Sequence, residues 1–231
     1  MVSLLHKHPL FSIMARAHTR RSLSTFSDAP RILIAGLGNA PYPSTRHSIG
    51  QYIINGLASH YSIHMSSSRG GHQGSNPTGS ITLFKAKQLM NVSGPSVVAA
   101  MRAGQVPPSH LVLIYDSLTH APCRLAVRFG GSAQGHNGVK SVMASLGASA
   151  TSKPFWQIRV GVGRGNPAGS GVDGEVSQKR MINKSVDAAE WVLGPLSEEE
   201  KRYWGVGGKG LDAVVREIDR IMEKLGEEAD G

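Results

Sequence analysis

At 231 residues the chain is long enough to bury one substantial core, and its 25 Lys and Arg against 16 Asp and Glu give a formal net charge of +9. That balance points to a polyanionic partner, although an import signal raises it too. The single cysteine, Cys123, excludes an intrachain disulfide framework and a zinc site built of cysteines. No apolar stretch is long enough to cross a bilayer.

The first thirty residues differ from the rest. Lys7, Arg16, Arg20 and Arg21 precede the first acidic residue, Asp28, and serines recur at Ser3, Ser12, Ser22, Ser24 and Ser27. Leu10, Ile13, Met14 and Ala17 fall on one helical face, with Arg16 and Arg20 off it. This composition predicts a mitochondrial or chloroplast transit peptide over 1–30; the alternative is a disordered basic tail that touches RNA.

The folded domain is expected over 31–231. Arg31 to Leu37 is a short apolar run between proline and glycine, which predicts a buried strand. A helix follows from Ser48, with Ile49, Tyr52, Ile53, Gly56 and Leu57 on one face. Arg69 to Ser80 is rich in Gly, Ser, Asn and Pro and reads as a loop. Ile81 to Ala86 and Leu111 to Tyr115 read as strands, with a helix between them from Ser93 or Pro95 to Arg102. Arg124 to Phe129 alternates like a strand, Val139, Val142, Met143 and Leu146 mark a short helix, and Trp156 to Val162 is a further strand. Gly165 to Val186 has no clear period and reads as an exposed insertion. Ser197 and Glu200 form a candidate capping box. The closing helix carries Val214, Val215, Ile218, Ile221, Met222 and Leu225 on one stripe. Strands alternating with helices predict an α/β layered domain.

His47 stands just before a helix, whose positive end favours the neutral imidazole that a general base needs. Taken alone, it is better read as a polar residue that caps the helix. Asp116 ends an apolar strand, where sites gather in open α/β sheets, and a carboxylate there can accept the second N–H of a histidine. Taken alone, it is as well read as a turn aspartate. Its catalytic reading requires His47 as a neighbour. Asn39, Asn91 and Asn137 stand near strand ends in glycine-rich settings, and each amide offers donors and an acceptor that can hold a carbonyl or a developing oxyanion. Singly each is a common turn or cap residue, and Asn137 is a candidate N-cap. This inventory suits activation of a water without a metal, in a hydrolase acting on an ester linked to RNA.

Arg128-Phe-Gly-Gly-Ser-Ala-Gln-Gly-His-Asn-Gly138 is glycine-rich enough to let backbone approach a ligand closely or to move as a lid. Arg124, Arg128 and Lys140 flank it and suit a phosphate backbone; a flexible surface loop with ordinary basic neighbours is the alternative. His136 adds a donor and is given no catalytic task. Gly36-Leu-Gly38 lacks the third glycine, the helix and the acidic ribose ligand of a dinucleotide-binding turn, which excludes that reading.

In this order and spacing, Gly36-Leu-Gly-Asn39, Thr45-Arg-His47, Met90-Asn-Val-Ser-Gly94, the strand LVLIYDSL, Gly135-His-Asn-Gly138 and IRVGVGRG resemble the bacterial-type peptidyl-tRNA hydrolase family. The resemblance runs from about Ile32 to the C-terminal helix. It implies cleavage of the ester between a peptide and the terminal ribose of tRNA, by a monomer whose single three-layer α/β domain has a mixed central β-sheet flanked by helices. No metal and no cofactor are implied, and no membrane partner. It makes His47 the base and Asp116 the group that orients it. Asn39, Asn91 and Asn137 match the asparagines that position the ester, with Tyr42 in the same substrate-binding set, and Arg128 and Lys140 match basic positions at the tRNA-binding rim. With the basic tail, it implies an organellar member, mitochondrial rather than cytoplasmic. The chain departs from the family pattern in having Asn39-Ala-Pro41 for Asn-Pro-Gly, Ser48 for an asparagine, Asp116-Ser-Leu-Thr119 for an acidic run, and Pro122-Cys123 for a proline-glycine turn.

Two other functions compete. A non-catalytic RNA-binding relative, of the splicing-factor kind, would keep the fold and lose turnover. A small-molecule esterase of the α/β hydrolase type lacks support, because no Gly-x-Ser-x-Gly nucleophile elbow is present.

Overall fold

The apolar run after Pro30 forms strand β1 (Ile32–Gly36), buried throughout. The computed structural model describes residues 30–147, 152–165, 183 and 185–229. The basic tail and most of the 165–186 insertion lie outside these residues. Chain order then gives α1 (Ile49–His60), β2 (Ser66–Ser67), β3 (Gly71–Ser75), β4 (Ile81–Ala86), α2 (Gly94–Ala103) and β5 (Leu111–Ser117). It continues with β6 (Leu125–Phe129), α3 (Asn137–Leu146), β7 (Trp156–Gly161), α4 (Ala188–Leu193), α5 (Glu198–Trp204) and α6 (Lys209–Ala229).

Among the described residues the strands make one seven-stranded sheet in the order β2-β3-β4-β1-β5-β7-β6. β4, β1, β5 and β7 run parallel, and β2, β3 and β6 are antiparallel to their neighbours, so the sheet is mixed. The pleat sends alternate residues to opposite faces. Ile32, Ile34, Val112 and Ile114 face a core with Ile53 and Leu57 of α1 and Val214, Ile218, Ile221 and Leu225 of α6. Leu33, Ala35, Leu113 and Tyr115 face the other, with Val97 and Met101 of α2 and Val139, Val142 and Leu146 of α3. The result is three layers, helix on sheet on helix.

The predicted strands and long helices stand within a residue or two of their expected bounds. Ser197 and Glu200 do form a capping box at the start of α5. The segment Arg69 to Ser80, expected as a loop, is not one. It contains β3, which pairs with β4 from Gly71↔Ala86 to Ser75↔Thr82. The strand carries no apolar alternation because its backbone, not its side chains, packs: a Cβ on Gly71 would lie 2.2 Å from the Lys85 carbonyl oxygen. Asp116 stands at the carboxyl end of its strand as expected, one residue before the last residue of β5. Cys123 adopts φ +60, the left-handed region that glycine favours. Burial, then the Glu199 and Glu200 carboxylates, push its thiol up to about 11.

The chain leaves β1 toward β4 on one side and reaches β5 on the other. The carboxyl ends of β1 and β5 therefore flank the crevice where ligands collect in open α/β sheets. The first turn of α1 drops onto that crevice. A Cβ on Gly50 would come within 2.2 Å of the Ile114 carbonyl oxygen and 2.6 Å of that of Leu37, so only glycine permits the approach. This contact delivers the residues just before α1 to the end of β5.

Candidate active site

His47 sits in a single 3-10 turn, Arg46–Ser48, immediately ahead of α1. Its Nδ1 lies 2.7 Å from Asp116 Oδ1, across 69 residues of chain. The condition that the sequence left open, that these two be neighbours, is met. A second imidazole shares the carboxylate: His136 Nε2 lies 2.9 Å from the same oxygen. Asp116 is 3% exposed. Burial alone would push its carboxyl up, but the adjoining His136 and His47 outweigh that and hold it well below the usual carboxylate range. It is therefore ionised wherever the protein is folded near neutrality.

Asn137 was a candidate N-cap; it is instead the first residue of α3, and His136 is the cap. The His136 Nδ1 accepts from the Val139 N–H at 3.3 Å. Asn137 is thereby free of the cap and lines the cavity with His47, Asp116 and His136. That cavity has a volume of about 470 Å³. One wall is apolar, from Ala188, Ala189, Val192 and Leu193 of α4; another is the loop Ala133 to Gly135.

Asn39 and Asn91 are not among the residues that line the cavity. Asn39 is buried, and its Oδ1 accepts from the Met90 N–H at 2.7 Å, which leaves its amide nitrogen as the donor for a ligand. The same bond holds the turn Met90–Val92 that carries Asn91, itself exposed. Ser48 closes the first loop. Its hydroxyl donates to the Tyr42 carbonyl at 2.8 Å and accepts from the Asn39 N–H at 3.0 Å. The Asn39-Ala-Pro41 departure is thus accommodated by a buried hydroxyl. Tyr42 is 56% exposed on the outer side of that loop. Arg128 and Lys140 are exposed and do not line the cavity; the Arg128 guanidinium packs against Gly131 at the base of the glycine-rich loop.

Several contributors escaped the sequence reading. Arg46 pins the His47 turn to the α4–α5 segment. Its guanidinium lies 4.1 Å over the Trp191 ring and 3.5 Å from the buried Glu200 carboxylate, and its backbone N–H donates to the Gly194 carbonyl. Gln157 of β7 anchors the glycine-rich loop, donating to the Gly130 carbonyl at 2.8 Å while its Oε1 accepts from the Tyr115 hydroxyl at 2.6 Å. Arg159 donates to Gln134 in the same loop at 2.7 Å. The α4 wall had a legible signal: Asp187 with Glu190 three residues on, and Asp187 does cap α4. A histidine directly before a helix start was the corresponding signal for His136.

The donor atoms of His47, Asp116 and His136 all lie within 4.8 Å of one another, close enough to be weighed as a metal site. Both nitrogens meet the same Asp116 oxygen at hydrogen-bond lengths, so one carboxylate holds the two rings together.

A family model for peptidyl-tRNA hydrolase matches residues 33–229. The chain belongs to the peptidyl-tRNA hydrolase family. A peptidyl-tRNA hydrolase from Clostridium botulinum is 30% identical over 197 residues, covering 83% of this chain and 90% of the relative. One from Bifidobacterium adolescentis is 34% identical over 179 residues, covering 74% and 81%. The structure of a mutant peptidyl-tRNA hydrolase from Acinetobacter baumannii superposes with a TM-score of 0.65 at 25% identity, covering 87% of this chain and 93% of that one. The peptidyl-tRNA hydrolase fold is therefore the mixed α/β sandwich described above.

Proposed function

We infer that the protein hydrolyses the ester bond of peptidyl-tRNA, releasing free tRNA and peptide. One observation carries the chemistry: the His47 Nδ1 is committed to an ionised Asp116, which leaves Nε2 as the free base facing the cavity. Nε2 takes a proton from water as the hydroxide adds to the ester carbonyl carbon. Asp116 stabilises the imidazolium so formed. The Asn137 amide, at the cavity wall, donates to the carbonyl and to the oxyanion that develops, and Asn39 and Asn91, outside the lining, are assigned to position the peptidyl ester from beyond it. As the tetrahedral adduct collapses, the carbon–oxygen ester bond breaks and the imidazolium returns its proton to the ribose oxygen. The direct test is release of tRNA from purified peptidyl-tRNA, with aminoacyl-tRNA as control. No observation favours the non-catalytic relative.

Arg128 and Lys140, exposed on the rim beside the glycine-rich loop, are assigned to the tRNA backbone, and the protein to action as a monomer. Each lost phosphate contact lowers the slope of log affinity against log salt by about 0.7 to 0.9. Arg128→Ala and Lys140→Ala are each expected to weaken tRNA binding and flatten that slope; unchanged slopes in filter-binding titrations would move the tRNA surface elsewhere.

The place of action is assigned to mitochondria, with residues 1–30 as the import signal, on the basic, acid-poor composition of that tail. Fused to a fluorescent reporter, the tail is expected to carry it into mitochondria. A reporter left in the cytosol would give the cytoplasmic alternative.

A further inference from the structure

We propose that His136 is a positioning residue: locked as its neutral Nε2–H tautomer by the start of α3, it is a permanent second donor to Asp116 and leaves His47 as the only ring of the pair that changes protonation. The inference rests on the reading of this site as an ester hydrolase.

The lock follows from donor and acceptor chemistry. The Val139 backbone N–H can only donate, and it points at His136 Nδ1. Nδ1 is therefore the acceptor, and the ring proton sits on Nε2, facing Asp116 Oδ1. A second proton would have to enter on Nδ1, against that N–H and against the positive end of α3. His47 is arranged the other way. Its Nδ1 faces Asp116, and its Nε2 has no partner among the described residues. The two rings lie 5.2 Å apart between centroids, and Tyr115 packs on His136 at 4.7 Å, so the second ring has little room to turn.

The other charged and titratable groups around the cluster are few. Arg46, beside His47, is matched by Glu200 of α5. Arg159 of β7 lines the cavity and is bonded to Gln134. The Tyr115 phenol of β5 is tied to Gln157, and His120, in the turn after β5, to Ser117 at 2.7 Å. Lys140 of α3 points to solvent, and α4 presents only apolar side chains to the cavity. Asp116 is thus the one carboxylate among the described residues of the cavity wall, and His136 sets how much of its charge His47 feels. Without that donor the whole charge falls on His47, its protonated form gains, and the base stays occupied to a higher pH.

Two substitutions separate the bonds that His136 makes. His136→Asn places an amide oxygen near the position of Nδ1, so it keeps the cap but cannot reach Asp116. His136→Gln extends an amide nitrogen toward Asp116 and gives up the cap. His136→Asn is expected to melt near the wild type, to lose about tenfold in kcat/KM at neutral pH, and to move the acid limb of its pH profile up by about half a unit to one unit. His136→Gln is expected to melt lower yet keep the wild-type acid limb and a rate within about threefold of wild type. Nitrogen-15 NMR of the wild type at neutral pH is expected to show the His136 proton on Nε2 and none on Nδ1. A proton on Nδ1, an unmoved limb in His136→Asn, or equal losses in both variants with unmoved limbs would each overturn the proposal. A wild-type protein that leaves peptidyl-tRNA uncleaved would instead overturn the functional reading, and the ring's tautomer could still be read from the NMR spectrum.

Discussion

His47→Ala is expected to lower the rate of peptidyl-tRNA cleavage by about 10² to 10⁴, the range of general-base catalysis, with tRNA affinity nearly unchanged. The affinity should survive because His47 is a partly buried cavity residue, not one of the exposed cations. Asp116→Asn should cost as much or somewhat less. An asparagine amide can still meet the ring, but it can do so through its nitrogen, which selects the tautomer with the proton on the wrong side. The double variant should be little worse than His47→Ala, since the carboxylate acts only through the imidazole. Single-turnover kinetics with a purified substrate separate these effects from binding. Full activity in His47→Ala would end the mechanism.

The second large effect is on stability. Gly50→Ala drives a methyl group onto the Ile114 carbonyl of β5 and the Leu37 carbonyl just past β1, where contacts of 2.2 and 2.6 Å leave nothing flexible to yield. Overpacking of this kind costs about 1–3 kcal/mol, and more where only backbone can yield. The damage should also reach activity in the fraction that stays folded, because α1 must back away from the crevice and take the His47 turn with it. Gly226→Ala is the control. It lies within α6 with nothing within 4 Å of the added carbon, and should stabilise by about 0.5 to 1 kcal/mol. Urea unfolding of both variants distinguishes a crowded glycine from a merely flexible one. Equal midpoints would mean that α1 does not press on the sheet as described.

Acid should act on the same cluster. The unfolded Asp116 carboxyl titrates near its ordinary value of about 3.9, and the folded one below it, so the unfolded chain binds the extra proton as pH falls. Its contribution to stability is complete above that ordinary value and is lost progressively beneath it.

What the sequence made legible was what repeats or is apolar. β1 and the first half of β5 are aliphatic runs, β4 keeps Ile81, Leu83, Phe84 and Ala86 buried, and α6 has a stripe at helical spacing, so their existence followed from burial. β3 was illegible because its Gly-His-Gln-Gly-Ser sequence contributes backbone hydrogen bonds and almost no apolar surface. The order and spacing of the short motifs brought His47 and Asp116 into one hypothesis, but neither residue announces the other. Their contact depends on β1 pairing with β5 and on Gly50 letting α1 close. His136 was passed over for a related reason. Its importance lies in two bonds, one to the backbone N–H of its own helix and one to a strand twenty residues away, and only the first is local. Of the three asparagines singled out by their glycine-rich surroundings, Asn137 lines the cavity, and Asn39 and Asn91 are not among its lining residues.

The placement of His47 and Asp116 on opposite sides of the β1–β5 seam bears on how the protein comes into being. Between those strands the chain must complete α1, the β2–β4 edge and α2, and the His136 loop arrives later still. Contacts this distant in sequence form slowly, because the intervening chain must first be ordered. Helical signal should therefore return early in refolding and ester cleavage last. A nascent chain still lacking α3 has no second donor on Asp116, and one still lacking α4 has no apolar wall to its cavity. Hydrolytic competence belongs to the finished molecule, and turnover is a more stringent measure of native structure here than any spectroscopic signal from its helices.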